Sequence, residues 1–253
     1  MGKVYKFIQI NIYKGKYLDS LVAFLKQENP DFISMQEVTS GVLNLCDDKK
    51  LNIFEYLKRE LKMDGKYHVD FEISDGEGVS GNAVFSKYPI TDTDVLTLAL
   101  FQEITLERSY DEDFFRTCPS HLLSATSEIE GRKIHLMSWH GSWTAPPTDT
   151  ERTIMHATKI ADLLKSLEEP YIMGCDSNAV IQGKTIGLIN KVSNNLMLNS
   201  GVLGTTNTEV HKIAPVTYLI DYVFTSKDIK YIDLEVPQIT VSDHLPVIAE
   251  LSF

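Results

Sequence analysis

The stretch Ile-Thr-Val-Ser-Asp-His-Leu-Pro-Val-Ile-Ala at residues 239–249 sets an acid and a histidine between two apolar runs. Asp243 and His244 therefore fall where one strand-like run ends and another begins, an unusual place for charge because buried charges need partners. Polar residues interrupt or follow apolar runs at four points upstream. These interruptions are Gln36-Glu37, His140, Asp176-Ser177-Asn178 and Asp221. The pattern predicts several strands that each end in chemically active side chains.

Apolar runs and alternating patterns predict many strands and few helices. Amphipathic spacing indicates helices at 17–29, 51–62 and 149–168, with a short one at 185–189 and a polar loop over 190–217. Strands are indicated directly after Pro170 and at 4–12, 31–36, 67–73, 82–86, 94–108, 120–129, 132–139, 218–225, 229–236 and 246–252. This order favours two sheets packed face to face, with helices outside them.

Size and composition favour a single globular domain over residues 1–253. No repeat or linker-like change in composition divides the chain. The net charge of −11 argues against a broad basic surface for binding duplex nucleic acid.

The three cysteines, Cys46, Cys118 and Cys175, are widely spaced and form neither a disulfide framework nor a zinc pattern. We therefore expect a reducing, cytoplasmic location. The N-terminus lacks the apolar stretch of a signal peptide, and no apolar run is long enough to span a membrane, so stable membrane insertion is not expected.

The polar residues at the predicted strand ends have ordinary explanations when they are taken singly, such as turns, caps or solvated acids. Together they comprise four carboxylates, two imidazoles and two amides. The set is Asn11, Glu37, His140, Asp176, Asn178, Asp221, Asp243 and His244. Carboxylate and amide oxygens are ligands for Mg²⁺, and carboxylates and histidines handle protons and phosphate oxygens. The set is therefore typical of metal-assisted hydrolysis of phosphate esters.

Several short motifs, in a fixed order, carry a resemblance to a known family. They are Gln9-Ile10-Asn11, Met35-Gln36-Glu37-Val38, Ser80–Ile90, Ser138-Trp139-His140, Glu151-Arg152, Gly174–Ala179, Ile220-Asp221-Tyr222 and Ser242-Asp243-His244. The ordered set resembles the endonuclease/exonuclease/phosphatase superfamily of metal-dependent phosphohydrolases. The resemblance implies an α+β fold, a four-layer α/β/β/α sandwich in which two mixed, mostly antiparallel sheets pack face to face with outer helices.

The resemblance also implies a metal site. Glu37 would be the principal ligand of Mg²⁺, with Asn11 and Asp243 completing or supporting the site, and Mn²⁺ would substitute.

The same resemblance implies catalytic roles for five residues. Asp176 would position and activate the attacking water, and Asn178 would bond a phosphate oxygen and fix Asp176. His244 would contact the scissile phosphate, with Asp221 holding its tautomer. His140 would bind phosphate or assist the leaving group.

Three further residues are predicted to contact substrate. Trp143 lies in the loop 141–147, which departs from the family pattern, and either stacks on a base or sugar or simply packs. Arg152 starts a helix after that loop, where its role is either substrate contact or structure. Asn82 follows the turn before a predicted strand. Glu72 is the candidate acid to pair with His140.

The leading hypothesis for function is Mg²⁺-dependent hydrolysis of a phosphodiester in a nucleic acid or nucleotide. The alternative is a phosphatase or phosphodiesterase of small phosphorylated metabolites or lipid head groups. A second alternative is a catalytically silent relative that binds a ligand in the same cleft. We expect a monomer whose partner is a phosphate-ester substrate, with nucleic acid as one candidate.

Overall fold

Two β-sheets packed face to face form the centre of the structure, a computed structural model that describes residues 3–253. The strands are β1 (Tyr5–Asn11), β2 (Phe32–Gly41), β3 (Asp64–Ile73), β4 (Gly78–Ser86), β5 (Ile90–Ala99), β6 (Gln102–Ile104), β7 (Ser120–Ile129), β8 (Arg132–His140), β9 (Tyr171–Asp176), β10 (Asn194–Asn195), β11 (Asp221–Thr225), β12 (Lys230–Glu235) and β13 (Val247–Ser252). The α-helices are α1 (Leu18–Glu28), α2 (Ile53–Leu61), α3 (Glu112–Thr117), α4 (Glu151–Ser166) and α5 (Lys184–Asn190).

The sheets are mixed and mostly antiparallel, as predicted. One has seven strands in the order β12-β13-β1-β2-β4-β3-β6, and the other has six in the order β10-β11-β9-β8-β7-β5. The parallel pairs are β1 with β2, β3 with β6 and β8 with β9. The α+β class and the two-sheet sandwich with outer helices are therefore confirmed.

Alternation along β1 shows how the layers are built. Phe7 belongs to an apolar cluster that also holds Ile160 of α4, whereas Ile8 and Ile10 belong to a second cluster with Leu21 of α1. Successive side chains of a strand point to opposite faces, so a run of apolar residues fills both layers at once. This explains why β1 reads as continuously apolar in the sequence.

Several elements differ from the sequence expectation. Two strands replace the single one predicted over 94–108, since β5 begins earlier, at Ile90, and β6 follows after a short break. The short strand β10 lies in the predicted loop 190–217, and β11 begins at Asp221 rather than at residue 218. Helix α3 was not predicted, because six residues are too few to show a periodic pattern. It is capped by Asp111, whose side chain accepts the backbone N–H of Asp113, and it buries Phe114 against Phe71.

All three cysteines are free. No helix within residues 3–253 is both long and apolar enough to cross a bilayer.

One buried histidine makes stability depend on pH. His156 on α4 is fully buried, and neither ring nitrogen has a hydrogen-bond partner within residues 3–253. Burial, helped by the charges of Arg152 and Lys159, lowers the pKa of His156 to about 4. The unfolded chain binds this proton near its usual pKa of about 6.5. Stability is therefore lost as the pH falls from about 6.5 towards 4, by at most about 3 kcal/mol.

Urea unfolding at pH 7 and pH 4.5 checks this prediction. The His156→Leu variant should lose less stability on acidification than the wild type does. An equal loss in both proteins would show that His156 is not the source of the acid sensitivity.

Candidate active site

The polar residues predicted at strand ends meet at one edge of the sandwich. Asn11, His140 and Asp176 are the last residues of β1, β8 and β9, and Asp221 is the first residue of β11. β8 and β9 are parallel and place His140 opposite Asp176, while antiparallel β11 places Asp221 on the other side of Asp176. The pairing of the strands therefore brings together side chains that are far apart in the sequence.

Glu37 reaches the site through a β-bulge in β2. Met35 pairs with Ala83 of β4 and Val38 pairs with Gly81, so that two residues of β2 face one of β4. Glu37 has a backbone φ of 54°, in the left-handed region that non-glycine residues seldom adopt. Bulges often redirect a side chain next to an active site. Glu37 lies at this bulge and lines the cleft.

Asn11 connects two of the carboxylates. Its side-chain Nδ2 donates to Glu37 Oε1 at 3.2 Å and to Asp176 Oδ2 at 3.0 Å, while its Oδ1 accepts the backbone N–H of Tyr13 at 3.0 Å. The amide therefore fixes the spacing between Glu37 and Asp176.

Asp176 lies at the centre of these contacts. Its Oδ1 accepts the backbone N–H of Asn178 at 3.0 Å, and its Oδ2 lies 3.5 Å from His140 Nε2 and 3.7 Å from His244 Nε2. Asn178 adopts a φ of 51° and donates its Nδ2 to the carbonyl of Gly141 at 3.1 Å. An Asp-x-Asn turn thus holds one carboxylate oxygen and leaves the other facing two imidazoles.

His244 is oriented by a buried carboxylate. Its Nδ1 lies 2.8 Å from Asp221 Oδ2, and both side chains are nearly or fully buried. Burial alone would lower the pKa of His244, but the carboxylates of Asp221 and Asp176 outweigh it and raise this pKa well above its ordinary value. Nδ1 therefore donates to Asp221, and Nε2 faces the site.

Asp243 belongs to the same cluster. Burial raises the pKa of Asp243 to about 6. Attraction to His244 opposes this shift, and repulsion from Glu37 adds to it. Within residues 3–253, three of the four carboxylates form ion pairs only with histidines, and the fourth, Glu37, forms none. The four are Glu37, Asp176, Asp221 and Asp243.

Four acidic side chains with no lysine or arginine partner within residues 3–253 fit a divalent cation, because clustered negative charge needs compensation. Two sets of three side chains bring ligand atoms within 4.8 Å of one another. The sets are His211, Asp243 and His244, and Asp176, Asp221 and His244.

A cleft of about 390 Å³ opens over these residues. One half is lined by the polar cluster, and the other half is mostly apolar. The apolar half includes Phe115, Trp143, Pro146, Pro147 and Ile213. The Trp143 ring lies 6.1 Å from the Phe115 ring and 4.3 Å from Lys212 Nζ. Trp143 therefore lines the cleft, and its contact with substrate stays a prediction.

Arg152 lies in a structural position. Its Nε donates to Ser142 Oγ at 3.0 Å, and its Nη2 donates to the carbonyls of Thr117 and Cys118 at 3.0 and 2.6 Å. These bonds tie the first turn of α4 to the end of α3 and to the cleft loop. Of its two predicted roles, the contacts support the structural one.

Two further expectations differ from the structure. Asn82 is fully buried outside the lining of the cleft, and its Nδ2 donates to the carbonyl of His121 at 3.4 Å. Glu72 forms no ion pair with His140 within residues 3–253, and His140 lies beside Asp176 instead. Asp70, two residues before Glu72, pairs with a different histidine, since its carboxylate lies 2.5 Å from His121 Nδ1.

The loop before β11 contributes residues that the sequence did not single out. Three of them line the cleft, namely Thr206, His211 and Lys212. The backbone of Thr206 also forms an isolated antiparallel β-bridge with that of His244. Asn207 anchors this loop, because its backbone N–H donates to the carbonyl of Asp243 at 2.8 Å. Polar loops lack a periodic pattern, so the sequence offered a single indication of these residues, which is the presence of a histidine in the predicted loop.

Solved structures with the same architecture come from several organisms. An endonuclease/exonuclease/phosphatase from Bacteroides vulgatus superposes with a TM-score of 0.75 at 18% identity, covering 99% of each chain. A mannosyl-6-phosphatase from Bacteroides thetaiotaomicron has a TM-score of 0.71 at 16% identity, covering 98% of this chain and 100% of that one.

A third structure, D. rerio TDP2 complexed with a single-strand DNA product, has a TM-score of 0.69 at 13% identity, covering 99% of this chain and 100% of that one. At these identities the likeness shows the fold alone. No curated protein matches the sequence.

The family assignment rests on the sequence itself. A model of the Endonuclease/Exonuclease/phosphatase family matches residues 8–244, which includes every member of the polar cluster. The chain belongs to the endonuclease/exonuclease/phosphatase family, whose members hydrolyse phosphoric esters.

Proposed function

We propose that this protein is a Mg²⁺-dependent phosphoesterase that hydrolyses a phosphodiester in a nucleic acid or nucleotide by in-line attack of water. The observation that carries the proposal is the environment of Asp176. One carboxylate oxygen is held by the backbone of Asn178, and the other faces His140 and His244 across 3.5 and 3.7 Å. A fixed carboxylate between two imidazoles can take a proton from water beside a bound phosphate.

Three residues would hold the metal. Glu37 and Asp243 would supply carboxylate oxygens, and Asn11 would supply its Oδ1, which now accepts the Tyr13 N–H and would face the ion after rotation of the side-chain amide. Oxygen ligands of this kind are those that Mg²⁺ prefers, and Mn²⁺ accepts the same set. When bound, the ion neutralises negative charge on the phosphate oxygens.

The remaining residues have roles that follow from their contacts. Asp176 orients and deprotonates the water. Asn178 fixes Asp176 through its backbone and retains one amide hydrogen for a phosphate oxygen. His244 presents Nε2 to the phosphate because Asp221 holds its Nδ1 at 2.8 Å. His140, which is partly exposed at the cleft, binds phosphate or protonates the leaving group.

The cleft supports a substrate of nucleotide size. Its volume of about 390 Å³ and its apolar half suit one planar or apolar group next to the phosphate, rather than a duplex. Lys14 and Lys212 are the basic residues of the described chain that line it, and the net charge is −11. A single nucleotide or the end of a single strand fits these features better than double-stranded nucleic acid does.

A phosphatase acting on small phosphorylated metabolites is the second candidate. The small volume of the same cleft favours it, and the fold is shared both with a mannosyl-6-phosphatase and with TDP2 bound to single-strand DNA. The fold alone does not choose between these substrates. A silent binding protein is disfavoured, because Glu37, Asp176 and His244 are all present.

We further propose that the protein acts as a monomer in the cytoplasm. Its three free cysteines suit a reducing compartment.

A substrate screen tests the proposal. Nucleic acids, dinucleotides, nucleotides, inositol phosphates, sugar phosphates and phospholipids would each be incubated with the protein and Mg²⁺, with Asp176→Asn as the background control. Phosphodiesters of nucleotide size should be cleaved fastest. Exclusive release of inorganic phosphate from monoesters would replace the leading candidate with the second.

A further inference from the structure

His211 is the third histidine that lines the cleft, after His140 and His244, and the proposed mechanism does not use it. Its side chain is largely buried, its Nε2 lies 4.0 Å from Asp243 Oδ2, and its ring centre lies 5.6 Å from that of His244. It lines the same cleft as His140 and Asp176. A side chain in this position faces the space that the phosphate group would occupy.

The hydrogen bonds of the loop fix the tautomer of His211. The backbone N–H of Ile213 donates to His211 Nδ1 at 3.2 Å, so Nδ1 carries the lone pair and the ring proton lies on Nε2. The loop itself is closed by two backbone bonds, from His211 N–H to Asn207 O at 3.0 Å and from Ala214 N–H to His211 O at 2.8 Å. The Nε2–H is therefore held towards the cleft.

This tautomer excludes one obvious role. His211, Asp243 and His244 bring ligand atoms within 4.8 Å of one another, which suggests a metal site. A histidine binds a metal through a ring nitrogen that carries a free lone pair. Here Nδ1 is occupied by Ile213 and Nε2 carries the proton, so His211 presents a donor to the cleft and not a ligand.

We propose that His211 is a further substrate-contacting residue that donates its Nε2–H to a non-bridging oxygen of the scissile phosphate. This inference rests on the proposed phosphoesterase function. A neutral imidazole stabilises the developing charge without repelling the cation, and its donor is already oriented before substrate arrives. Pre-oriented donors of this kind contribute about 10²- to 10³-fold to kcat in enzymes that stabilise oxyanions.

Two nearly isosteric substitutions isolate the donor. His211→Gln retains an N–H at about the position of Nε2, whereas His211→Met fills the same space without one. The ring that accepts the Ile213 N–H is absent from both, so damage to the loop affects them alike. We expect kcat to fall about 10²-fold in His211→Met and less than about 10-fold in His211→Gln. The Mg²⁺ concentration for half-maximal activity should be unchanged in both.

Binding of inorganic phosphate, measured by calorimetry in the presence of Mg²⁺, provides a readout that does not need turnover. His211→Met should bind phosphate at least about 10-fold more weakly than His211→Gln, a difference of about 1.4 kcal/mol. Equal phosphate affinity in the two variants would overturn the inference. A tenfold or larger shift in Mg²⁺ activation would also overturn it, because it would make His211 a metal ligand.

Failure of the proposed function has a different signature. A wild-type protein that cleaves no phosphate ester would remove that function, whereas the phosphate-binding comparison would still decide whether His211 contacts the anion.

Discussion

Asp176→Asn is expected to lower kcat by about 10³-fold while leaving the fold intact. The amide keeps the size of the carboxylate but cannot accept a proton from water. In the wild type, Asp176 accepts hydrogen bonds from Asn11 and Asn178, at 3.0 Å in each case, and faces His140 and His244. Removing its charge also relieves repulsion with the buried Asp221, so the melting temperature should not fall by more than a few degrees.

Steady-state kinetics and thermal unfolding of the same samples check this result. Asp94→Asn on the exposed surface of β5 is the matched control, and it should retain normal kcat. If Asp176→Asn turned over substrate at a near-normal rate, Asp176 would not be the group that activates water.

His244→Ala is expected to lower kcat by about 10²- to 10³-fold and also to destabilise the protein. The kinetic loss is expected because the variant lacks the Nε2 that we propose contacts the phosphate. The loss of stability, about 3 kcal/mol, follows because Asp221 is fully buried and His244 is its ionic partner at 2.8 Å. A carboxylate left without its partner keeps its desolvation cost.

A double-mutant cycle with Asp221→Asn separates the two effects. The double variant should regain part of the stability lost by His244→Ala, because no unpaired buried charge remains. Its kcat should be no lower than that of His244→Ala alone, because Asp221 acts by orienting His244. Fully additive losses in kcat and in stability would show that the two residues act independently.

The fold and most of the site were predictable from the sequence because strand ends leave a visible mark. Apolar runs that stop at a charged residue predicted the positions of His140 and Asp176, and the structure places both at the last residue of a strand. The order of the motifs predicted the family and the two-sheet sandwich. Their roles in catalysis stay predictions.

Other features could not be predicted because they depend on geometry that the sequence does not encode locally. The bulge that turns Glu37 into the cleft involves a register shift between β2 and β4. His211 lies in a loop without periodicity, which hydrogen bonds such as that from the Asn207 N–H to the carbonyl of Asp243 hold against the site.

Position relative to the cleft, and not burial, separates Asn82 from the other predicted site residues. Asp176 is as buried as Asn82 but lines the cleft, whereas the Asn82 side chain bonds to the carbonyl of His121 outside it.

The dependence of hydrolysis on a divalent cation is the central claim and is directly measurable. The rate of hydrolysis of bis(4-nitrophenyl) phosphate would be followed in Mg²⁺, in excess EDTA, and after Mg²⁺ or Mn²⁺ is restored, with Asp176→Asn as background. We predict activity in Mg²⁺, its loss in EDTA and its recovery with either metal. A full rate in excess EDTA would contradict the metal-assisted mechanism.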